Sequence, residues 1–412
     1  MTPPGPREVR RNFACLVWMG SVFAMGWAEV MVVLQPMLVA FGASNTQIGI
    51  VQGTLAATLP GMFLAPWVTR KFRRKKALVF AMDCLYLLPI GIIGVAVWTG
   101  AVIGGAAAVG FVVVLMAAGQ LAAGFGGLPN QEFFTACIPM RLRGRLAGVS
   151  AGLGGLLGMA GAGMAAWILA VLPAPDGYGA LLVLAWAICM AADSAVLLAA
   201  EPETPVERSP VPYSPAMWRA LWDDRPFLRV AALCCVLSPL MGQLPVFAGV
   251  FAFRELAFKP EMAAWIAMSA SASRMVLSPL AGWITDRWGA RRALIFWPAA
   301  SGAGFAALAL LPGTATVLGV SGLAAVAWSG FSGAMNALTC GIPKPEHRAG
   351  HFTVLAFGMI AANSVFPLLV GGMFDRVPYR SGFTILAVAL LAACAAGLVL
   401  VRGLSLRAAD YE

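Results

Sequence analysis

Four ionisable side chains stand inside otherwise apolar stretches of this chain: Glu29, Asp83, Asp193 and Arg274. A charge held away from water is costly, so residues of this kind in a lipid-facing protein are functional candidates by default. Glu29 is a carboxylate that can load and unload a proton as its access changes sides, which is the chemistry of a coupling site. Arg274 cannot give up its proton, but its planar fork of donors suits it to fixing a carboxylate or phosphate. The two could also pair with each other as a structural or gating bridge. Gln35, Gln120, Gln243, Asn336 and Asn363 add neutral donors and acceptors to apolar segments.

The elements that must position these groups are membrane helices. Hydrophobic residues make up 60% of the chain and charged ones only 11%, whereas a soluble domain carries roughly a quarter charged residues. Crossing a hydrocarbon core takes about 20 apolar residues. Such runs fall at 13–40, 46–69, 77–97, 107–137, 146–172, 180–200, 227–252, 260–285, 293–311, 316–341, 351–373 and 383–401, which predicts twelve spans. The fourth is broken up by Gly124, Gly126, Gly127 and Pro129, which are tolerated where neighbours or a wet cavity satisfy the backbone. The glycines of the fifth, from Gly148 to Gly163, read as a close-packing surface.

Charge placement sets the topology. The net charge is +10, a value that invites thoughts of nucleic acid until the positions are read. One side of the membrane collects Arg7, Arg10, Arg11, the run from Arg70 to Lys76, and Arg141, Arg143 and Arg145. The other keeps only Arg254, Lys259, Arg376 and Arg380. This is the positive-inside pattern, and it predicts both termini in the cytoplasm of a multi-pass inner-membrane protein, with no role for nucleic acid. The basic, polar start of the chain does not read as a signal peptide. All eight cysteines fall in or at the ends of spans, leaving none for an external disulfide.

The chain also repeats itself. Trp67 to Leu78 (WVTRKFRRKKAL) aligns without a gap on Trp283 to Leu294 (WITDRWGARRAL), each at the turn between two spans. Parallel repeats of this kind build secondary transporters. A Pro-rich polar stretch lies between them, so we expect a six-helix bundle over residues 1–200, a cytoplasmic linker over 201–226 and a second bundle over 227–412. Within the linker, residues 216–222 read as a short interfacial helix. The bundles should be related by a pseudo-two-fold axis along the membrane normal.

The second copy, with Gly282, Asp286, Arg287, Gly289, Arg291 and Arg292, resembles the cytoplasmic loop motif of the major facilitator superfamily. Ile138-Pro139 with Arg143, and Ile342-Pro343 with Arg348, resemble its companion turns. The resemblance implies an all-α membrane fold of two six-helix pseudo-symmetric bundles. It also implies a cavity lined by spans one, four, seven and ten and flanked by two, five, eight and eleven. On that layout Glu29, as proton carrier, and Arg274, as substrate anchor, can meet water, with the five amides beside them, while Asp83 and Asp193 serve packing. The loop residues would hold the halves together in one access state. In the first copy Arg70 replaces the aspartate and Arg73 the glycine, so that loop cannot make the same contact.

These readings point to a monomeric, proton-coupled carrier of a small organic anion, working by alternating access among membrane lipids, with no cofactor or metal. Export of a drug-like or metabolite compound is the alternative, although span five lacks the Gly-Pro pair of the superfamily's drug exporters. A third reading is a transporter-shaped protein that handles lipid or an assembly partner without cycling. The two histidines, His347 and His351, read as solvated loop residues. The absence of a phosphate loop or a nucleophile–base pattern argues against an enzyme.

Overall fold

The computed structural model describes residues 5–102, 104–202, 219, 221–343 and 348–401, and among these every regular element is helical. The helices are α1 Pro6–Ala40, α2 Asn45–Thr69, α3 Lys76–Trp98, α4 Gly105–Cys137, α5 Met140–Val171, α6 Asp176–Leu198, α7 Arg225–Arg254, α8 Met262–Trp288, α9 Ala290–Leu310, α10 Thr314–Gly341, α11 Arg348–Phe374 and α12 Tyr379–Val401. Eleven are long and apolar enough to cross a membrane. The twelfth, α8, is 27 residues long; its hydropathy is diluted by Arg274 and by Ser269, Ser271, Ser273 and Ser278. A helix of that composition has a polar stripe to keep away from lipid. The 203–218 stretch of the expected linker, most of its interfacial helix, His347 and the Arg348 side chain lie outside the described residues.

Helix ends follow local chemistry more than hydropathy. α1 starts at Pro6, seven residues before its apolar run, because proline is pre-set for the first turn and Glu8 Oε2 accepts the Gly5 N–H at 2.8 Å. α2 opens on a reciprocal cap, with Gln47 N donating to Ser44 Oγ and Ser44 N donating to Gln47 Oε1. Its middle tightens to a 3₁₀ turn over Thr54–Ala57. Pro60 follows, without an N–H for the carbonyl four residues back, and the turn adjusts to that loss. α4 runs unbroken through Pro129. Its Gly124 lies so close to the Thr58 carbonyl that a side chain there would collide with α2 backbone.

α1 packs on α5 and α6, α3 on α4 and α6, and α2 on α4; in the second half α8 and α9 pack on α10, and α9 on α12. Two seams join these sets, α2 along α11 and α5 along α8. Glycines make both possible. Gly49, Gly53 and Gly371 bring α2 and α11 to backbone contact, with Gly53 facing the Ser364 carbonyl. In α5, Gly155 faces Met275 and Gly158 faces Ser271, while Gly154 and Gly161 receive α1. Gly148, Gly152 and Gly163 face open space, so only part of the glycine row serves packing.

Candidate functional site

Hydrogen bonds between the first and second sets of helices gather at one membrane face, among the loops after α1, α7 and α11. Asp375, one residue past α11, accepts the Asn45 N–H at 2.8 Å on Oδ1, and the Thr46 N–H at 2.9 Å and hydroxyl at 2.6 Å on Oδ2. A carboxylate set on the free N–H groups of a helix start is favoured by their partial positive charge. Arg254, at the end of α7, donates to Asn45 Oδ1 at 3.0 Å and to the Ala43 carbonyl. Tyr379 donates to the same Asn45 oxygen at 2.7 Å. Burial raises the Asp375 pKa, but the bonds from Thr46 and Asn45 and the Arg254 charge outweigh it and hold the carboxyl below the ordinary range.

Beneath this closed face lies a cavity of about 550 Å³. α1 contributes Met31, Val32, Gln35 and Pro36, and α2 adds Gln52. α8 contributes Ala263, Ile266, Ala267, Ala270 and Arg274, one stripe at helical spacing. α10 adds Ser321, Ala324, Ala325 and Trp328, and α7 supplies Met241, Gly242, Pro245 and Phe253. Arg274 is the only charged residue of this lining. It also lies furthest along α8 from the closed face, about 18 Å at 1.5 Å per residue from the helix start at Met262.

Of the residues singled out in the sequence, the structure therefore brings Gln35 and Arg274 to one cavity. Glu29 is completely buried, about a quarter-turn off the α1 cavity face at 100° per residue, and among the described residues none donates a hydrogen bond to either of its oxygens. No ion pair joins it to Arg274 among the described residues. Gln243 turns back to donate to the Pro239 carbonyl at 2.7 Å in its own kinked helix. Asn363 bonds Ser238 at 3.0 Å, tying α11 to α7. Asn336 is exposed and Gln120 half-buried on α4, both outside this cavity. Asp193 is buried and Asp83 half-buried, on α6 and α3, which pack closely.

The loop motif is disengaged in this state. Among the described residues Asp286 is exposed and makes no hydrogen bond or ion pair, Arg287 lies 5.6 Å over the Trp283 ring, and Gly289, at φ 81°, turns α8 into α9 in one residue. Arg143 caps its own half, donating to the Ile138 carbonyl at 3.2 Å and the Thr135 carbonyl at 3.1 Å. Gly282 faces open space, and Arg291 and Arg292 sit half-buried and exposed in the first turn of α9. Where the first-copy loop lacks the aspartate, Glu201 takes over the turn from the far end of α6. Its two oxygens accept the Lys75 and Lys76 N–H groups at 2.6 and 2.9 Å. His351 is not a solvated loop residue: it is buried in the first turn of α11, with Nε2 at 3.4 Å from Asp224, whose other oxygen caps α7.

Comparison with known proteins places this architecture. The sequence model of the Major Facilitator Superfamily matches residues 244–408. No curated protein matches the chain by sequence. Among solved structures, a bacterial homolog of the human lysosomal transporter Spinster, inward-facing and unoccupied, superposes with a TM-score of 0.67 at 14% identity, covering 97% of this chain and 96% of that one. A variant of the nucleoside transporter NupG gives 0.71 at 13%, over 95% and 100%. A D-xylose–proton symporter gives 0.70 at 13%, over 97% and 98%.

Proposed function

We propose that this chain, a major facilitator superfamily transporter by its fold and by the sequence of its second half, carries a small organic anion across the cytoplasmic membrane, coupled to protons. The observation that carries the reading is Arg274. It is the single charge lining a cavity between the two sets of helices, and no carboxylate among the described residues pairs with it. Arg274 is exposed to the cavity in this state, so its donors are available to an anion. The cost of a guanidinium in the membrane interior, at least about 2.5–3.5 kcal/mol, would apply when the site closes, where an anionic substrate would compensate it. The bundles 1–200 and 227–412, tethered by 201–226, would be the bodies that rock around this site. With the basic loops in the cytoplasm, the Asp375 face is periplasmic and the state is inward-open, the disengaged Asp286 loop being its counterpart. Glu29, buried beside the cavity helix face, is the proton carrier.

Counterflow in proteoliposomes tests this directly. A panel of small labelled carboxylates and their neutral amides is offered to wild type and to Arg274→Gln and Arg274→Lys. Exchange of a carboxylate but not its amide, lost in both variants, is the expected result, because lysine offers a point charge in place of a fork. Equal exchange of acid and amide would reject the anion and favour a neutral or cationic export substrate.

A further inference from the structure

The lining around Arg274 carries more information than the charge itself. From Arg274 toward the closed face, the α8 wall is Ala270, Ala267, Ile266 and Ala263, without a hydrogen-bonding side chain. The α10 wall opposite holds Ala324 and Ala325, with Trp328 at its far end. Ser269 donates to the Leu318 carbonyl and Ser278 meets Ser329, so Arg274 stands opposite Ala324 and Ala325, and Trp328 lies about a turn further from the closed face. The neutral polar groups of the lining are few: Gln35 and Gln52, near the closed end, and Ser321. Ser321 donates to the Val317 carbonyl of its own helix at 2.8 Å, so its hydroxyl hydrogen is already used.

A ligand here meets one cation with alanines opposite it, one indole about a turn further from the closed face, and towards that face an apolar wall about 10 Å long from Ala270 to Ala263. A polyol or a nucleoside would leave most of its hydroxyls unpaired along that wall, each at a cost comparable to a lost hydrogen bond. A dianion would leave one charge unmatched. Resting on the anion reading above, we infer that the site takes an amphipathic monoanion, its acidic head on Arg274 and a flat or linear apolar body laid between α8 and α10 towards the closed face. Ala263, Ala267 and Ala270 make the room along α8; each is a place where a larger residue would fill the throat.

The test is binding, measured by tryptophan quenching and calorimetry on purified protein in nanodiscs of neutral phosphatidylcholine. The probes are acetate, benzoate and para-biphenylcarboxylate, the amides of the last two, and gluconate as a polar monoanion. Affinity should rise about tenfold from acetate to benzoate and again to para-biphenylcarboxylate, as each ring is buried, and gluconate should bind no better than acetate. Arg274→Gln should weaken all three acids alike and keep the size ladder. Ala267→Phe should weaken para-biphenylcarboxylate at least about tenfold while leaving acetate unchanged, and a milder filling variant, Ala267→Leu, should act in the same direction should the first not fold. Acids preferred over amides with no size ladder, or gluconate equal to benzoate, would overturn the inference and leave the anion reading standing. A size ladder with acid and amide equal would overturn both, since the head group would then not be an anion.

Discussion

Asp375 and Thr46 are 329 residues apart in the chain, yet the carboxylate of one takes both the backbone N–H and the hydroxyl of the other, at 2.9 and 2.6 Å. With the Asn45 N–H on its second oxygen, Asp375 caps the start of α2 from the opposite half of the molecule. Arg254 and Tyr379, also from the second half, converge on Asn45 Oδ1. Most helix caps are local, and this one is not. α2 acquires its full cap only when the halves meet at this face, so on the alternating-access reading proposed above the cap is an energy difference between access states and not simply a contribution to stability.

Removing the charge should therefore open the face. Charge-assisted hydrogen bonds contribute about 1.5–3 kcal/mol each in net terms, and Asp375→Asn keeps the shape while losing the charge and one acceptor. We expect the equilibrium to move about tenfold or more away from the closed face, one decade corresponding to about 1.4 kcal/mol. Spin labels at Thr99 and Lys259, exposed loop positions in opposite halves at this face, report it in a background with the native cysteines replaced. A distance distribution identical to that of the parent would show that Asp375 does not hold the gate.

The same carboxylate gives the gate a pH dependence of known sign. Its pKa in the closed state is held below the ordinary aspartate value, about 3.9. The contribution to closure is thus fully present above that value and is lost as pH falls through the lowered one. The Thr99–Lys259 distance should be constant from neutral pH down to about 5 and lengthen only in more acid solution, near and below about 4. Asp375→Asn should abolish that acid step. An acid step at pH 6 to 7 would have to come from another group.

The sequence carries the fold almost whole, because a membrane helix advertises itself by an uninterrupted apolar run. Arg274 was legible for the same reason, as an exception in such a run, whereas the serines of α8 were not. The gate was not. Asp375, Arg254 and Glu201 sit at span ends, where charges ordinarily do no more than set topology, and their partners lie 125 to 330 residues away. One local cue was present: Ser44 and Gln47 announce a helix start at Asn45 whose outward N–H groups want an acid. Gln243 and Asn363 show the opposite error, because a polar side chain in a span can serve its own kinked helix or a neighbour as readily as a cavity.

Glu201 should behave as a staple of one half only. It is buried and accepts the first N–H groups of α3, next to the Lys75–Glu132 ion pair at 3.7 Å. Leaving two buried donors unpaired costs on the order of 1–3 kcal/mol each. Glu201→Ala should lower the thermal midpoint clearly and Glu201→Gln, which keeps one acceptor, by less. Neither should alter the Thr99–Lys259 distance, since both ends of the staple belong to the first six helices. A variant that unfolds normally but opens the far gate would tie this turn to the access equilibrium instead.

Glu29 is the sharpest case, because its surroundings restrict what it can be. It is fully buried on α1, and among the described residues none gives either oxygen a hydrogen bond or pairs with it. An ionised carboxylate left so would forfeit its solvation without compensation, so the packing seen here accommodates the form that bears a proton. Release of that proton then needs a different arrangement of the helices, which is what coupling to an access change requires. Infrared difference spectra between acid and alkaline protein should contain a protonated carboxyl band that disappears in Glu29→Gln. The same variant should exchange whichever carboxylate the Arg274 counterflow assay identifies, yet build no gradient of it from a pH gradient, since glutamine keeps the shape and cannot titrate. Accumulation that survives in Glu29→Gln, with the band unchanged, would move the proton to another acid, and Asp83 on α3 and Asp193 on α6 would be the next to replace.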